Sequence, residues 1–157
     1  MKRVALVAVL MAGCGPQGDP RVAPAYDAAG KLTRLYFDSN ADGQPDMVAS
    51  MDGAAVRVVD VDEDGDGLFD RSEYYAGAGV LSRVERVVRR GQAIVRREAF
   101  EGGVLVSVQE DRDDDGRIDR WETYVGGGLK TLELDSTGTG RPDRRLTYDG
   151  DRVVVSR

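Results

Sequence analysis

Apolar and polar positions follow a repeating order along most of the chain. Each unit contains an acidic loop, a stretch in which similar residues recur at every second position, a turn rich in glycine and a second apolar stretch. The glycines at one fixed place in the loops are 24, 24, 25 and 24 residues apart; they are Gly43, Gly67, Gly91, Gly116 and Gly140. Five copies at nearly one spacing predict a repeat architecture.

Both stretches of each unit have the pattern of a β-strand. After the loop, an arginine, a glutamate and an aromatic residue occupy alternate positions, as in Arg71-x-Glu73-x-Tyr75. The equivalent positions elsewhere are Arg96-x-Glu98-x-Phe100, Arg120-x-Glu122-x-Tyr124, Arg144-x-Leu146-x-Tyr148 and Met47-x-Ala49-x-Met51. A period of two is that of a strand. The second stretches, such as 56–61 and 104–108, are rich in valine, which also favours strands, and their imperfect alternation predicts bulges or burial on both faces.

These units predict an all-β domain over residues 26–157. Ten or eleven short strands would form an antiparallel meander of β-hairpins, as an open curved sheet or closed into a barrel. The alternative is an α-helical, EF-hand-like pair, for which a period of about 24 residues leaves too little room. Residues 80–90 also carry apolar residues at helical spacing, but the repeat that runs through them favours strands.

The first 25 residues have a different character. Lys2 and Arg3 precede an apolar run, 4–12, which suits the core of a signal peptide and is too short to span a bilayer. The run ends in Met11-Ala12-Gly13-Cys14, which resembles the lipobox of bacterial lipoproteins. This resemblance implies removal of a signal peptide, 1–13, lipidation of Cys14 and an anchored extracytoplasmic protein of the cell envelope, on the outer membrane or cell surface. An ordinary secretory signal with a chance cysteine is the alternative.

Residues 14–25 are rich in proline and glycine and predict a flexible tether.

The amino-acid composition excludes several kinds of catalytic and metal-binding site. The chain has 157 residues, with 20 aspartates, 8 glutamates, no histidine and one cysteine, and its formal net charge is −6. Without histidine there is no serine–histidine relay, and one cysteine cannot form an internal disulfide or a thiolate zinc site. The negative charge argues against nucleic acid as a partner. The serines lie in no nucleophile motif, so we expect no enzymatic activity.

Two loops match the EF-hand calcium loop position by position. Loop two is 62–70 and loop four is 111–119, and each is followed three residues later by a glutamate. Carboxylates on alternate residues can converge on one hard cation, while the sixth-position glycine permits the sharp turn. Oxygen donors without histidine or thiolate favour Ca²⁺. The predicted ligands are Asp62, Asp64, Asp66, the Leu68 carbonyl, Asp70 and Glu73 in loop two, and Asp111, Asp113, Asp115, the Arg117 carbonyl, Asp119 and Glu122 in loop four.

The other loops are less complete copies. Loop one, 38–46, offers Asp38, Asn40, Asp42 and Asp46 as predicted ligands. Loop five, 135–143, has Thr137 and Thr139 where two acids stand elsewhere. Loop three, around Gly91, has lost its acids.

The flanks of these loops look like strands, so the loops are similar to the acidic calcium loops of thrombospondin type 3 and dockerin repeats rather than to complete EF-hands. Thrombospondin-type repeats carry cysteines that this chain lacks, and the resemblance therefore implies only the calcium chemistry of the loop. Residues 26–32, YDAAGKL, also resemble the YD repeat of bacterial Rhs-type proteins, which implies strands of a large sheet.

Two questions about the acids stay open at this point. Glu73 and Glu122 are either twelfth-position ligands or partners of an arginine on a neighbouring strand. The third unit keeps Arg96, Glu98 and Phe100 without an acidic loop, so this column does not depend on a metal. The aspartates could also be turn residues that cap their own backbone. Their close spacing disfavours this, because like charges repel.

The sequence therefore predicts a calcium-binding, membrane-anchored repeat lipoprotein that acts as a structural or interaction module with an unknown protein or glycan partner. One alternative is a carbohydrate- or cell-wall-binding module that uses Trp121 and neighbouring tyrosines as a platform. Another is a metal-independent sheet of the YD-repeat kind.

Overall fold

The structure is a computed structural model that describes residues 21–88, 93–150 and 152–156. The predicted signal peptide, Cys14 and the centre of loop three, including Gly91, lie outside these ranges. Within them, no helix is long and apolar enough to cross a membrane.

Twelve strands form one antiparallel sheet in which each strand pairs with the next along the chain. The strands are β1 (Val22–Tyr26), β2 (Leu32–Phe37), β3 (Met47–Asp52), β4 (Ala55–Val61), β5 (Arg71–Ala76), β6 (Val80–Val88), β7 (Ala93–Glu101), β8 (Val104–Glu110), β9 (Arg120–Val125), β10 (Gly128–Leu134), β11 (Arg144–Asp149) and β12 (Arg152–Ser156). The all-β antiparallel meander is confirmed, and the sheet is open, with β1 and β12 at opposite edges.

Two expectations need correction. The helical, EF-hand-like alternative is wrong, because the segments that flank the acidic loops are strands and the helically spaced residues 80–88 form β6. The strand count is twelve rather than ten or eleven.

The first strand, β1, occupies the last residues that the sequence assigned to a tether, where Val22 pairs with Phe37. A proline within this segment suggested a tether, although proline is also compatible with an edge strand.

The meander places all acidic loops at one end of the sheet. They join β2 to β3, β4 to β5, β8 to β9 and β10 to β11, whereas the glycine-rich turns lie at the other end. Loops one and two, and loops four and five, are therefore two strands apart, or about 10 Å. Most register shifts lie near the glycine-turn end, for example between Tyr74 and Tyr75, and one between Arg86 and Val87 lies at the loop end, so the predicted bulges are confirmed.

The register divides the strands into two faces. One of them, here called the Glu face, carries Glu73, Glu98 and Glu122 between apolar residues of the neighbouring strands. Its central row is Val59, Glu73, Val84, Glu98, Val108, Glu122 and Leu132. The buried apolar side chains of the described residues are few, namely Val48, Val84 and Val108. A single layer thus buries side chains mainly within its own rows.

Val108 is the side chain on which this packing depends most. It is 1% exposed and lies between Glu98 and Glu122 on the Glu face. We expect Val108→Ala to lower the free energy of unfolding by about 2 kcal/mol, because the methyl groups lost leave a cavity. Urea denaturation measures this loss. Val104→Ala on the same strand, where the side chain is half exposed, is the matched control and should cost less than about 0.5 kcal/mol.

Candidate metal-binding loops

The four described acidic loops share one backbone conformation. Their fourth and sixth residues have positive φ angles, between 61° and 91°. The fourth residues are Ala41, Gly65, Asp114 and Gly138, and the sixth are Gly43, Gly67, Gly116 and Gly140. Glycine adopts this region at little cost, which explains why glycine occupies the sixth position of these four loops.

The first aspartate of each loop accepts hydrogen bonds from the backbone inside the turn. In loop two, the Gly65 N–H donates to Asp62 Oδ1 and the Gly67 N–H donates to Asp62 Oδ2, both at 2.7 Å. In loop four, the Asp114 and Gly116 N–H groups donate to the two oxygens of Asp111 at 2.8 Å. Loop one repeats the scheme on Asp38. The first-position carboxylates therefore build the loop itself.

The ninth-position aspartate closes each loop from the other side. Its Oδ2 accepts the backbone N–H of the second loop residue: at 2.8 Å from Glu63 to Asp70, and at 2.9 Å from Arg112 to Asp119. Loops one and five close in the same way through Asp46 and Asp143. The fifth-position aspartates of loops one, two and four accept the backbone N–H of the seventh loop residue. The interpretation of the aspartates as backbone caps thus holds for the first, fifth and ninth positions.

Carboxylate oxygens converge in loops two and four. In loop two, oxygens of Asp62, Asp64 and Asp70 lie within 4.8 Å of one another. In loop four, the same holds for Asp111, Asp113 and Asp115. Either group could hold a metal ion, and these are the groups of this kind within the described part of the chain. Asp66 and Asp119, which the sequence also predicts as ligands, lie in the same loops but outside the two groups.

Asp119 is engaged by an arginine. The Arg112 side chain donates from Nε to Asp119 Oδ1 at 2.8 Å, in addition to the backbone bond. Burial raises the pKa of Asp119, but the hydrogen bonds from Arg112 outweigh it and hold the pKa below its ordinary value. This carboxylate is therefore paired with a cation of the chain, and it lies outside the carboxylate group of loop four.

Glu73 and Glu122 lie on the strands, away from both carboxylate groups. Arg71 and Tyr75 each donate to Glu73, and Arg120 and Tyr124 each donate to Glu122. The Glu73 bond to the Tyr75 hydroxyl raises the pKa of Tyr75 to about 12. The arginine partner is therefore two residues earlier on the same strand, not on a neighbouring one.

The two glutamates differ from a calcium-loop twelfth position in burial as well. Glu122 is 5% exposed and lies between Val108 and Leu132. Burial raises the pKa of Glu122, but hydrogen bonds from Tyr124 and Arg120 outweigh it, and the pKa is below its ordinary value. The observed contacts are those of a structural ion pair.

Loop five replaces carboxylates with hydroxyl donors. The hydroxyls of Thr137 and Thr139 donate to the two oxygens of Asp135, at 3.0 and 3.5 Å, and the Gly140 N–H donates at 2.5 Å. In loop one, the third position is Asn40, whose side-chain oxygen accepts the Asp42 N–H at 2.8 Å. Loop five therefore folds around Asp135 and Asp143 with neutral donors, and it has no carboxylate at its third and fifth positions.

Asp135 makes loop five sensitive to acid. Burial raises its pKa, but the hydrogen bonds from Thr137, Gly140 and Arg141 outweigh it and lower the pKa from 3.8 to about 2. A depressed folded-state pKa gives stability that is present above about pH 4 and is lost as the pH falls toward 2. We expect the stability of the natural chain to fall more steeply over this window than that of Asp135→Asn. Urea denaturation between pH 5 and 2 in calcium-free buffer checks this, and equal slopes would contradict it.

Trp121 and the tyrosine column point to opposite faces of the sheet. Tyr124 lies three residues after Trp121 on β9, and successive strand residues alternate between faces. Trp121 pairs with Gln109 and Glu133, opposite the Glu face. The register therefore separates this tryptophan from the tyrosine on its own strand.

Sequence reasoning missed contacts that link neighbouring units. Glu63 in loop two forms ion pairs with Arg71 at 2.9 Å and with Arg86 at 2.7 Å. Arg117 in loop four donates to the Gly138 carbonyl of loop five at 2.9 Å. The signal that could have found them is the repeat itself, because residues at about one period meet along the loop end of a meander.

No protein-family model matches the chain, and no curated protein matches it. Among solved structures, it is similar to part of the crystal structure of the GtfA/B complex bound to UDP and GlcNAc, with 14% identity and a TM-score of 0.45 over 64% of this chain and 22% of that chain. It is also similar to part of the structure of accessory secretory protein 1, 2 and 3 in Streptococcus pneumoniae, with 14% identity and a TM-score of 0.47 over 80% of this chain and 21% of that one. The chain spans about a fifth of the matched chains, and likeness at this level carries no argument about function.

Proposed function

We propose that loops two and four each bind one Ca²⁺ and that the chain is a calcium-stabilised repeat module. The observation that carries this proposal is the convergence of three carboxylates within 4.8 Å in each of these loops. Like charges at this distance repel by roughly 1 kcal/mol per pair even in water, so a cation in their midst removes a cost to folding. Oxygen donors on a curled backbone suit Ca²⁺ better than Mg²⁺, which demands a stricter octahedron.

In this proposal, the residues of loops two and four have different roles. Asp62 and Asp111 shape the turn and also face the cation. Asp64 and Asp113 supply the third-position carboxylate of each group and are proposed as ligands. In loop two, Asp70 completes the group, whereas Asp115 does so in loop four. Carbonyls of Leu68 and Arg117, with water, would fill the remaining positions, and Glu73 and Glu122 are not needed. Loop one, with one carboxylate fewer, is a weaker site of the same kind.

The module is proposed to work outside the cytoplasm, tethered by lipidated Cys14. This part rests on the resemblance of residues 11–14 to a lipobox. Extracellular calcium modules bind with dissociation constants of about 10⁻⁴–10⁻³ M, a range that matches extracellular concentrations of the ion rather than cytosolic ones. A site that fills at such concentrations would stabilise the scaffold that presents its strands to a protein or glycan.

Isothermal titration calorimetry with Ca²⁺ tests the proposal by counting sites. We expect two main sites per chain. Asp64→Asn and Asp113→Asn should each remove one of them and leave the other. Asp149→Asn is the control, because it removes an equal charge at the glycine-turn end, where the side chain is largely exposed. No binding heat at several millimolar Ca²⁺, or an unchanged number of sites in both loop variants, would refute calcium binding.

A further inference from the structure

The two edges of the sheet differ in how they expose the backbone. At β1, the Asp38 N–H donates to the Arg21 carbonyl, which places residues 21, 23 and 25 in hydrogen-bonded pairs with β2. Residues 22, 24 and 26 consequently direct their backbone groups away from the sheet. The middle one is Pro24, which has no N–H to offer. This edge carries a residue that obstructs further strand pairing.

The other edge carries no such obstacle in the described residues. β12 contains three consecutive valines, Val153, Val154 and Val155, which are 50%, 61% and 67% exposed. The Asp135 N–H donates to the Asp119 carbonyl, and the alternation of hydrogen bonding from that pair across β10 and β11 turns the backbone groups of Val154 inward, toward Thr147. Val153 and Val155 therefore present their N–H and carbonyl groups outward.

We propose that β12 pairs with β12 of a second copy of this chain, antiparallel about a two-fold axis at Val154. In this register Val153 lies opposite Val155 of the partner, and the outward backbone groups of both residues meet as hydrogen-bonded pairs. Four backbone hydrogen bonds form between the copies. Val154 lies opposite its own equivalent in a non-hydrogen-bonded pair, the kind in which side chains approach most closely.

The side chains of β12 suit this register. Val153 and Val155 share the Glu face with Tyr148 and Leu146, so four valines of the two copies would continue an apolar patch across the axis. At the ends of the paired segment, Arg152 lies opposite Ser156 of the partner. Arg152 also faces Asp149 of its own hairpin, which balances its charge. No two acidic side chains of the paired strands meet.

Charge at the ends of the sheet also favours a second copy in this orientation. β12 runs from a glycine-rich turn toward the end that carries the acidic loops. Antiparallel pairing of β12 with itself puts the acidic end of one copy beside the glycine-turn end of the other. Pairing of β12 with β1 of a second copy would instead align the two acidic ends and would meet Pro24. Repulsion and the missing donor both select the two-fold arrangement.

A cysteine at the axis tests the register. In the full chain with Cys14→Ser, the Cα atoms of two Val154→Cys residues would lie about 4.5 Å apart, within the range of a disulfide. We expect mild oxidation to yield a disulfide-linked dimer. The matched control is Val125→Cys, which at 67% is slightly more exposed than Val154 at 61% but lies next to a glycine-rich turn of β9. Equal dimer yields from the two variants would overturn the proposal.

A proline variant tests the pairing without a cross-link. Val155→Pro removes an outward N–H and no bond to β11, as Pro24 does at the opposite edge. We expect the dimer dissociation constant from sedimentation equilibrium to rise by about tenfold or more, with an unchanged circular dichroism spectrum. A natural chain that stays monomeric at the highest soluble concentration overturns the proposal, and so does a dimer that the proline leaves intact.

Discussion

We expect addition of Ca²⁺ to the calcium-free chain to raise its melting temperature by about 10 °C, and we expect a chelator to reverse the change. A ligand that binds only the folded state stabilises it by RT ln(1 + [L]/Kd) for each site. With dissociation constants of about 10⁻⁴–10⁻³ M, 10 mM Ca²⁺ gives about 1.4–2.7 kcal/mol per site, and two sites give about 3–5 kcal/mol. Each kcal/mol shifts the melting temperature of a domain of this size by about 2–4 °C.

The double variant Asp64→Asn/Asp113→Asn makes this result specific. It removes one ligand from each carboxylate group and also relieves repulsion within the group. We expect it to melt at or above the temperature of the calcium-free natural chain and to respond little to Ca²⁺. The direction of the change in melting temperature matters, because a purely structural role of these aspartates would lower the melting temperature both with and without Ca²⁺. Differential scanning calorimetry with and without Ca²⁺ separates the two outcomes, and Mg²⁺ at equal concentration is the control for ionic strength.

We expect Glu122→Ala to lower the free energy of unfolding by about 3 kcal/mol. The change removes a buried carboxylate, leaves Arg120 and the Tyr124 hydroxyl without their shared acceptor, and opens a gap between Val108 and Leu132. Breaking a buried ion pair by deleting one partner costs about 3–5 kcal/mol. The lower end applies here because Arg120 is partly exposed and Glu110 lies 3.8 Å away. Urea denaturation in calcium-free buffer measures the loss.

Glu122→Leu separates a structural role from a ligand role. The fifth unit already carries Leu146 at the equivalent position, opposite Leu132 on β10. An apolar side chain can replace a buried ion-pair member at little cost, so we expect a loss within about 1 kcal/mol. The same variant should keep the full calcium response of loop four. Loss of one calcium site in Glu122→Leu would instead make this glutamate a ligand and contradict the contacts with Arg120 and Tyr124.

The fold could be predicted from the periodicity of the sequence. The spacing of the glycines and the alternation of residues are local properties of the chain, and hairpins are local structures, so the antiparallel meander follows from sequence alone. The first strand did not follow. Whether Pro24 belongs to a tether or to a strand depends on which side of the sheet its missing N–H faces, and no local pattern records that.

Some features of the candidate site likewise follow from the sequence, and others do not. The aspartates of loops two and four, their glycines and their spacing are written in the sequence, because a calcium-type loop is built from about a dozen consecutive residues. The sequence does not specify which three carboxylates converge. Arg112 pairs with Asp119 in loop four, whereas Asp70 joins the group in loop two. The second residue of loop four is Arg112, whereas the second residue of loop two is Glu63.

The sequence by itself therefore determined a repeating all-β chain with acidic loops, and placed Arg, Glu and an aromatic residue at alternate positions of the strands. The tertiary structure decided what those positions do. Glu122 is buried because Val108 and Leu132, brought from neighbouring strands, close over it, and the nearest donors then become Arg120 and Tyr124 on its own strand. The physical reason is that burial is set by neighbours across the sheet, whereas the period of a strand fixes only the face on which a side chain lies.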